Sequence, residues 1–139
     1  MRMSEYERLM AYFKIAYEDL SVLHHNVAGE GFFEAHEHLD TLYGLIAGFS
    51  DEIIERGIAL GHKEPSIAEA VAEFGDDILP VADRSREQSY EEAKAILRAC
   101  AGFCAAAEPG APPDVQNKLQ EIEYTCNHWA SYLLEHATK

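Results

Sequence analysis

The chain has 139 residues, 47% of them apolar, with 25 acidic against 11 basic side chains and a net charge of -14. That length and composition describe one globular domain over residues 1–139 and exclude a disordered chain. The charge disfavours nucleic acid and anionic membrane and attracts metal cations; no apolar run is long enough to span a bilayer, and no signal peptide opens the chain.

Alone, the charge reads as solvation of helix surfaces, and it becomes informative only beside a metal site. Three cysteines, an odd number, offer no disulfide framework, so the expected compartment is the cytoplasm. In chain order, the first helix opens at Ser4. In SEYE, the Ser4 hydroxyl and the Glu7 carboxylate can satisfy free amides of the first turn. Tyr6, Leu9, Met10, Phe13, Ala16, Tyr17, Leu20 and Leu23 follow at helical spacing, and the helix is predicted to end near Val27, before Gly29 and Gly31. A second helix is predicted from Phe32 to about Leu60, with Ala35, Leu39, Leu42, Ile46, Phe49, Ile53 and Leu60 facing the core.

The segment from Gly61 to Gln88 is long and carries a short amphipathic helix, opened by Ser66 and Glu69 and running to about Phe74, before Pro80 breaks the pattern. SYEE, with Ser89 and Glu92, is expected to open the next long helix, ending near Glu108. After the PGAPP turn, Pro113 suits the first turn of a last helix whose core positions are Val115, Leu119, Ile122, Cys126, Trp129 and Leu133. Two helical hairpins joined by one long crossover make an all-α, ferritin-like four-helix bundle with a short extra helix in the crossover. A generic bundle shows the same pattern, so this reading does not specify a function.

The chemistry concentrates in HHNVAGEGFFEAHEHLD, residues 24–40, which holds four of the seven histidines. On the second helix His36 and Asp40 are one turn apart on one face, and Asp51 and Glu55 repeat that spacing. The eleven residues from Asp40 to Asp51 complete three turns, so both pairs share a stripe, but roughly 16 Å of helix axis separates them. Metal–ligand bonds are about 2 Å, so one helix cannot wrap one ion with both pairs. Between them on the stripe lie Gly44, Ala47 and Gly48, small enough for a second copy of the helix to approach. Laid antiparallel, His36 and Asp40 of one chain face Asp51 and Glu55 of the other, twice over, about an axis near Leu45 and Ile46. None of the histidines has a glutamate three residues before it, which argues against the Glu-x-x-His site of an intrabundle di-iron centre. The bland alternative is a solvated polar helix face; two in-phase pairs with glycines between them weigh against it.

The pattern H-x-N-x-x-G-x-x-F-x-x-x-H-x-x-x-D followed by D-x-x-x-E-R resembles the Dps (DNA-protection-during-starvation) family of mini-ferritins. It is carried by His24, Asn26, Gly29, Phe32, His36 and Asp40, then Asp51, Glu55 and Arg56, and the similarity extends along the whole chain. The resemblance implies a dodecameric cage built from twofold dimers, with a ferroxidase centre between two subunits. His24, His36 and Asp40 would come from one subunit and Asp51 and Glu55 from the other, binding iron (Fe2+/Fe3+), two per centre. It further implies Fe(II) oxidation preferentially by hydrogen peroxide and storage of ferric iron, protecting against oxidative damage. Imidazole and carboxylate ligands suit an open Fe(II) site, and two irons giving one electron each can reduce peroxide without releasing hydroxyl radical.

Two departures stand out. His25 follows the first histidine where the family usually has tryptophan, and reads as a polar substitute, with an extra ligand or a proton carrier as alternatives. DNA-binding members usually carry a lysine-rich tail; only MRM stands before the cap at Ser4 and a single Lys139 after the last helix, so protection by DNA coating is not expected. No DNA binding and no membrane association are expected. Cys100, Cys104, Cys126 and Trp129 read as core, Tyr43 as core beside the ligand stripe, and His38 as a surface or interface residue; His128 and His136 stay unassigned, and Asp114 and Glu121 are weak candidates for pore acids. A non-catalytic metal-binding or scaffold bundle, for zinc among others, is the competing function.

Overall fold

The computed structural model describes residues 2–139. The chain is all-α: α1 spans Glu5–Asn26, α2 Phe32–Ala59, α3 Ile67–Phe74, α4 Arg86–Ala107, α5 Pro113–His128 and α6 Leu134–Ala137. A turn of π-helix, Trp129–Leu133, joins α5 to α6. The α1–α2 and α4–α5 hairpins pack together as a four-helix bundle, and the α2–α4 connection crosses its length. No helix is long and apolar enough to cross a membrane among the described residues.

The crossover can be followed along α1. His62 stacks on the Tyr6 ring, at the start of α1, with centroids 4.8 Å apart. Phe74 meets Tyr12 edge-on at 5.3 Å, and Arg8 and Lys14 pair with Glu73 at 3.0 Å and Glu64 at 2.7 Å. Asp19 accepts the Leu79 N–H at 3.1 Å. At the far end, the Ala28 N–H donates to the Arg84 carbonyl at 2.9 Å and the Arg84 N–H to that of Asn26 at 3.3 Å. The chain thus returns to the α1–α2 turn and holds it. Because α3 covers a second face of α1, buried residues go beyond the predicted stripe and include Ala11, Tyr12, Ile15, Asp19 and Val22.

Four expectations need correction. α4 opens four residues early: Ser85 caps it, with Gln88 completing the box, because glutamine serves as well as glutamate there. Ser89 is instead inside the helix, buried, with its hydroxyl unpaired. Leu60 is 36% exposed; Gly57 takes the last core position of α2, under Tyr6 and Met10. The core positions after Cys126 are Ala130 and Leu134, with Trp129 half-buried and Leu133 36% exposed. The π turn is the cause. The Leu134 N–H reaches back five residues to the Trp129 carbonyl, and the extra residue shifts the stripe by one.

Gly57 has no room for a side chain. A Cβ there would stand 2.6 Å from Tyr6 Cε1 and 2.8 Å from Met10 Sδ, and Tyr6 is tethered by its hydroxyl to the Ile53 carbonyl at 2.7 Å. Gly57→Ala is expected to lower stability in urea by about 1–3 kcal/mol, despite alanine's better helix propensity. Gly102→Ala, with no atom within 4 Å of the added carbon, is expected to raise it by up to about 1 kcal/mol.

Asp19 is buried, and desolvation pushes its carboxyl up from 3.8 to about 6, opposed by the Leu79 N–H and Arg84 and reinforced by Glu18 and Glu92. Its folded value lies above the unfolded one, so stability is lost as pH rises through that interval and the cost is constant above it. Asp19→Asn keeps an acceptor for Leu79. Its stability advantage over the wild type should grow from near zero at about pH 3.5 to no more than about 3 kcal/mol at about pH 7.

Candidate metal centre

The α1–α2 turn sets the site. Gly29 and Gly31 adopt φ of 91° and 78°, in the left-handed region that side chains disfavour, and so let α2 fold back beside the end of α1. His24, in the last turn of α1, then meets His36, in the second turn of α2, with ring centroids 4.1 Å apart and planes within 19°. Each ring bonds the other's backbone: His24 Nδ1 lies 3.1 Å from the His36 carbonyl and His36 Nδ1 lies 2.9 Å from the His24 carbonyl. A carbonyl oxygen only accepts, so both rings donate from Nδ1–H, and in the neutral imidazole Nε2 is then the nitrogen that carries the lone pair. This is the arrangement that orients imidazole as a metal ligand.

Asp40, one turn along α2, brings Oδ1 to 3.6 Å from His24 Nε2. Other rings extend the stack on both sides. Phe32 lies on His36 at 5.2 Å, Tyr43 on His24 at 5.9 Å, and Tyr17 on Tyr43 at 4.8 Å. The two tyrosine hydroxyls are 2.7 Å apart. That hydrogen bond, together with burial, raises the Tyr43 pKa, so the phenol stays protonated near neutrality. Tyr17 had appeared only as a core position; its link to Tyr43 spans 26 residues, and no spacing rule signals it.

Asp51 and Glu55 do not join this cluster. Both are exposed on α2. Asp51 borders a groove with Lys14, Tyr17 and Glu18; Glu55 borders a cavity with Tyr6, Arg56 and Asp114. Among the described residues, no three His, Cys, Asp or Glu side chains of one chain are gathered as metal ligands. His24, His36 and Asp40 therefore lie apart from Asp51 and Glu55 within one chain. The helix between them is bare: a Cβ on Gly44 or Gly48 would meet no atom within 4 Å.

Neither protein-family models nor curated protein sequences match this chain. Solved structures do. Dps92 from Deinococcus radiodurans aligns with a TM-score of 0.84 at 18% identity, over 95% of this chain and 82% of that one. A Dps protein from Bacillus brevis gives 0.80 at 19% identity, over 100% of both chains. Dps from Staphylococcus aureus gives 0.77 at 19% identity, over 97% of this chain and 93% of that one. The chain has the Dps fold.

Within that fold, the remaining histidines and cysteines separate clearly. His25 is exposed beside His24, with its Nδ1 3.5 Å from the Ser21 hydroxyl. His38 reaches the buried Tyr90 hydroxyl at 2.9 Å. Cys100, Cys104 and Cys126 are free and buried, as their spacing predicted, and burial pushes the thiols of Cys100 and Cys104 far up. Asp114 accepts from Arg56 at 2.7 Å and Glu121 lies 3.5 Å from Lys118.

The reciprocal bonds predict a spectroscopic signature. In metal-free protein near pH 8, imidazole ¹⁵N shifts should show the Nδ1–H tautomer for His24 and His36, against the Nε2–H form that free histidine prefers. Gly31→Ala, which loses the left-handed turn residue and drives a Cβ to 2.9 Å from Arg86 Cδ, should abolish that signature.

Proposed function

We propose that this protein is a Dps-like mini-ferritin. It oxidises Fe(II), its substrate, preferentially with hydrogen peroxide, at centres shared by two copies of the chain. It stores the ferric product within a dodecameric cage and so protects against oxidative damage. The observation that carries this reading is the mutual Nδ1 lock of His24 and His36, which leaves the Nε2 atoms of the stacked rings free of that exchange, that of His24 3.6 Å from the Asp40 carboxylate.

The donor set fits Fe(II). Imidazole nitrogen and carboxylate oxygen bind it without saturating it, and positions stay open for the oxidant. The balance is simple. Two Fe(II) give one electron each, peroxide takes both with two protons, and two waters leave. His24, His36 and Asp40 hold their side of the centre, and the partner's Asp51 and Glu55 would supply the other. The antiparallel match of His36 to Glu55 and of Asp40 to Asp51 supports the pairing. The net charge of -14 favours Fe(II) accumulation and works against the polyanionic backbone of DNA.

Complementation tests both the chemistry and the sharing. His36→Ala and Glu55→Ala are each expected to oxidise Fe(II) with peroxide at least about tenfold more slowly than the wild type, in keeping with the loss of a metal ligand or its support. Co-refolded, they form mixed dimers in which one centre carries both defects and the other carries none. Activity should return on mixing, as followed by stopped-flow absorbance. No recovery after subunit exchange has been verified by mass spectrometry removes the shared centre. A wild-type rate no faster than that of Asp51→Asn/Glu55→Gln removes the ferroxidase.

A further inference from the structure

Phe33 is the most exposed large apolar side chain among the described residues, at 85%, and Ile58 follows on the same helix at 53%. Both lie on the stripe that carries Asp40, Gly44, Gly48, Asp51 and Glu55, within about 40° of Gly44 at 100° per residue. They are also placed symmetrically. Phe33 lies twelve residues before Leu45, and Ile58 lies twelve after Ile46. His36 and Glu55 are nine residues out from the same two positions, and Asp40 and Asp51 are five.

The geometry points to a second copy of this chain as the occupant of this face, with Phe33 of each copy packed on the partner's Ile58 as an apolar plug at each end. The assignment rests on the two-chain reading above and adds to it the residues that close the centre. Side-chain size follows the shape of such a pair. Two crossing helices are closest at the axis and diverge towards their ends. Gly44, Ala47 and Gly48 occupy the narrow middle, the candidate ligands the intermediate turns, and Phe33 and Ile58 the wide ends.

The plug has a direct bearing on chemistry. Phe33 lies three residues before His36 and Ile58 three after Glu55, so their contact falls one turn outside the His36–Glu55 pair. Phe33 also meets Phe32 edge-on at 5.3 Å, and Phe32 is the ring stacked on His36. Closing that end excludes water from the ligand cluster and strengthens the hold of carboxylate and imidazole on a cation.

Disulfide trapping tests the contact. Within one chain these positions are roughly 37 Å apart along the helix, beyond any intrachain bridge, and the three native cysteines are buried and free. Phe33→Cys and Ile58→Cys proteins, mixed, subunit-exchanged and oxidised, should give a reducible covalent dimer. Each variant alone should give none, and neither should Phe33→Cys mixed with Glu52→Cys. Phe33→Ser and Ile58→Ser should each weaken the twofold dimer about tenfold or more by analytical ultracentrifugation, with unchanged monomer helicity. A dimer that forms and complements in the His36/Glu55 experiment but gives no disulfide between the Phe33→Cys and Ile58→Cys chains, or is unweakened by the serine variants, overturns the plug and leaves the shared centre standing. Loss of complementation in the parent variants overturns both.

Discussion

The exchange of two hydrogen bonds between His24 and His36 is the interaction on which the arrangement depends. It ties the last turn of α1 to the second turn of α2 by backbone and side chain together, so neither ring can rotate without breaking a bond to the opposite helix. Its prerequisite is a turn tight enough to bring those carbonyls within reach. Left-handed Gly29 and Gly31 supply that, and the crossover, through Arg84, clamps it from outside. The same two bonds close the hairpin and select the tautomer. Structural and chemical demands thus fall on the same atoms, with a ring stack from Phe32 to Tyr17 limiting their motion.

α2 divides its surface between two tasks. One face, from Ala35 to Gly57, is packed into the bundle, and Gly57 lets Tyr6 and Met10 lie against the helix backbone. The opposite stripe carries candidate ligands, two bare glycines and two exposed apolar side chains. The partner copy proposed above would cover Phe33 and Ile58 and remove their apolar area from water. The ion pairs Arg56–Asp114 at 2.7 Å and Lys118–Glu52 at 2.6 Å brace the second half of α2 against α5 and hold Glu55 on an ordered stretch of helix.

Oxidisable groups are sorted by depth. The three thiols sit in the core between α4 and α5, and the raised pKa values of Cys100 and Cys104 keep them as unreactive thiols rather than thiolates. The Tyr17–Tyr43 pair, by contrast, stands directly against His24. The proposed peroxide chemistry would benefit from that separation, because a buried neutral thiol is a poor target for the oxidant.

Most helix positions, the glycine turn, the capping boxes at Ser4 and Ser66 and the one-turn spacing of His36 from Asp40 and of Asp51 from Glu55 were legible in the sequence, because each depends on residues within a few turns of one another. The separation of those pairs along one helix was legible for the same reason. Three features depended on tertiary structure. The start of α4 at Ser85 was decided between two consecutive capping boxes, the serine of the second being buried. The one-residue shift to Ala130 and Leu134 came from a π turn, whose extra residue helical periodicity does not announce. The bonds of His24 to His36, Tyr17 to Tyr43 and His38 to Tyr90 join residues far apart in the chain, and only the packing of separate helices against each other sets such distances.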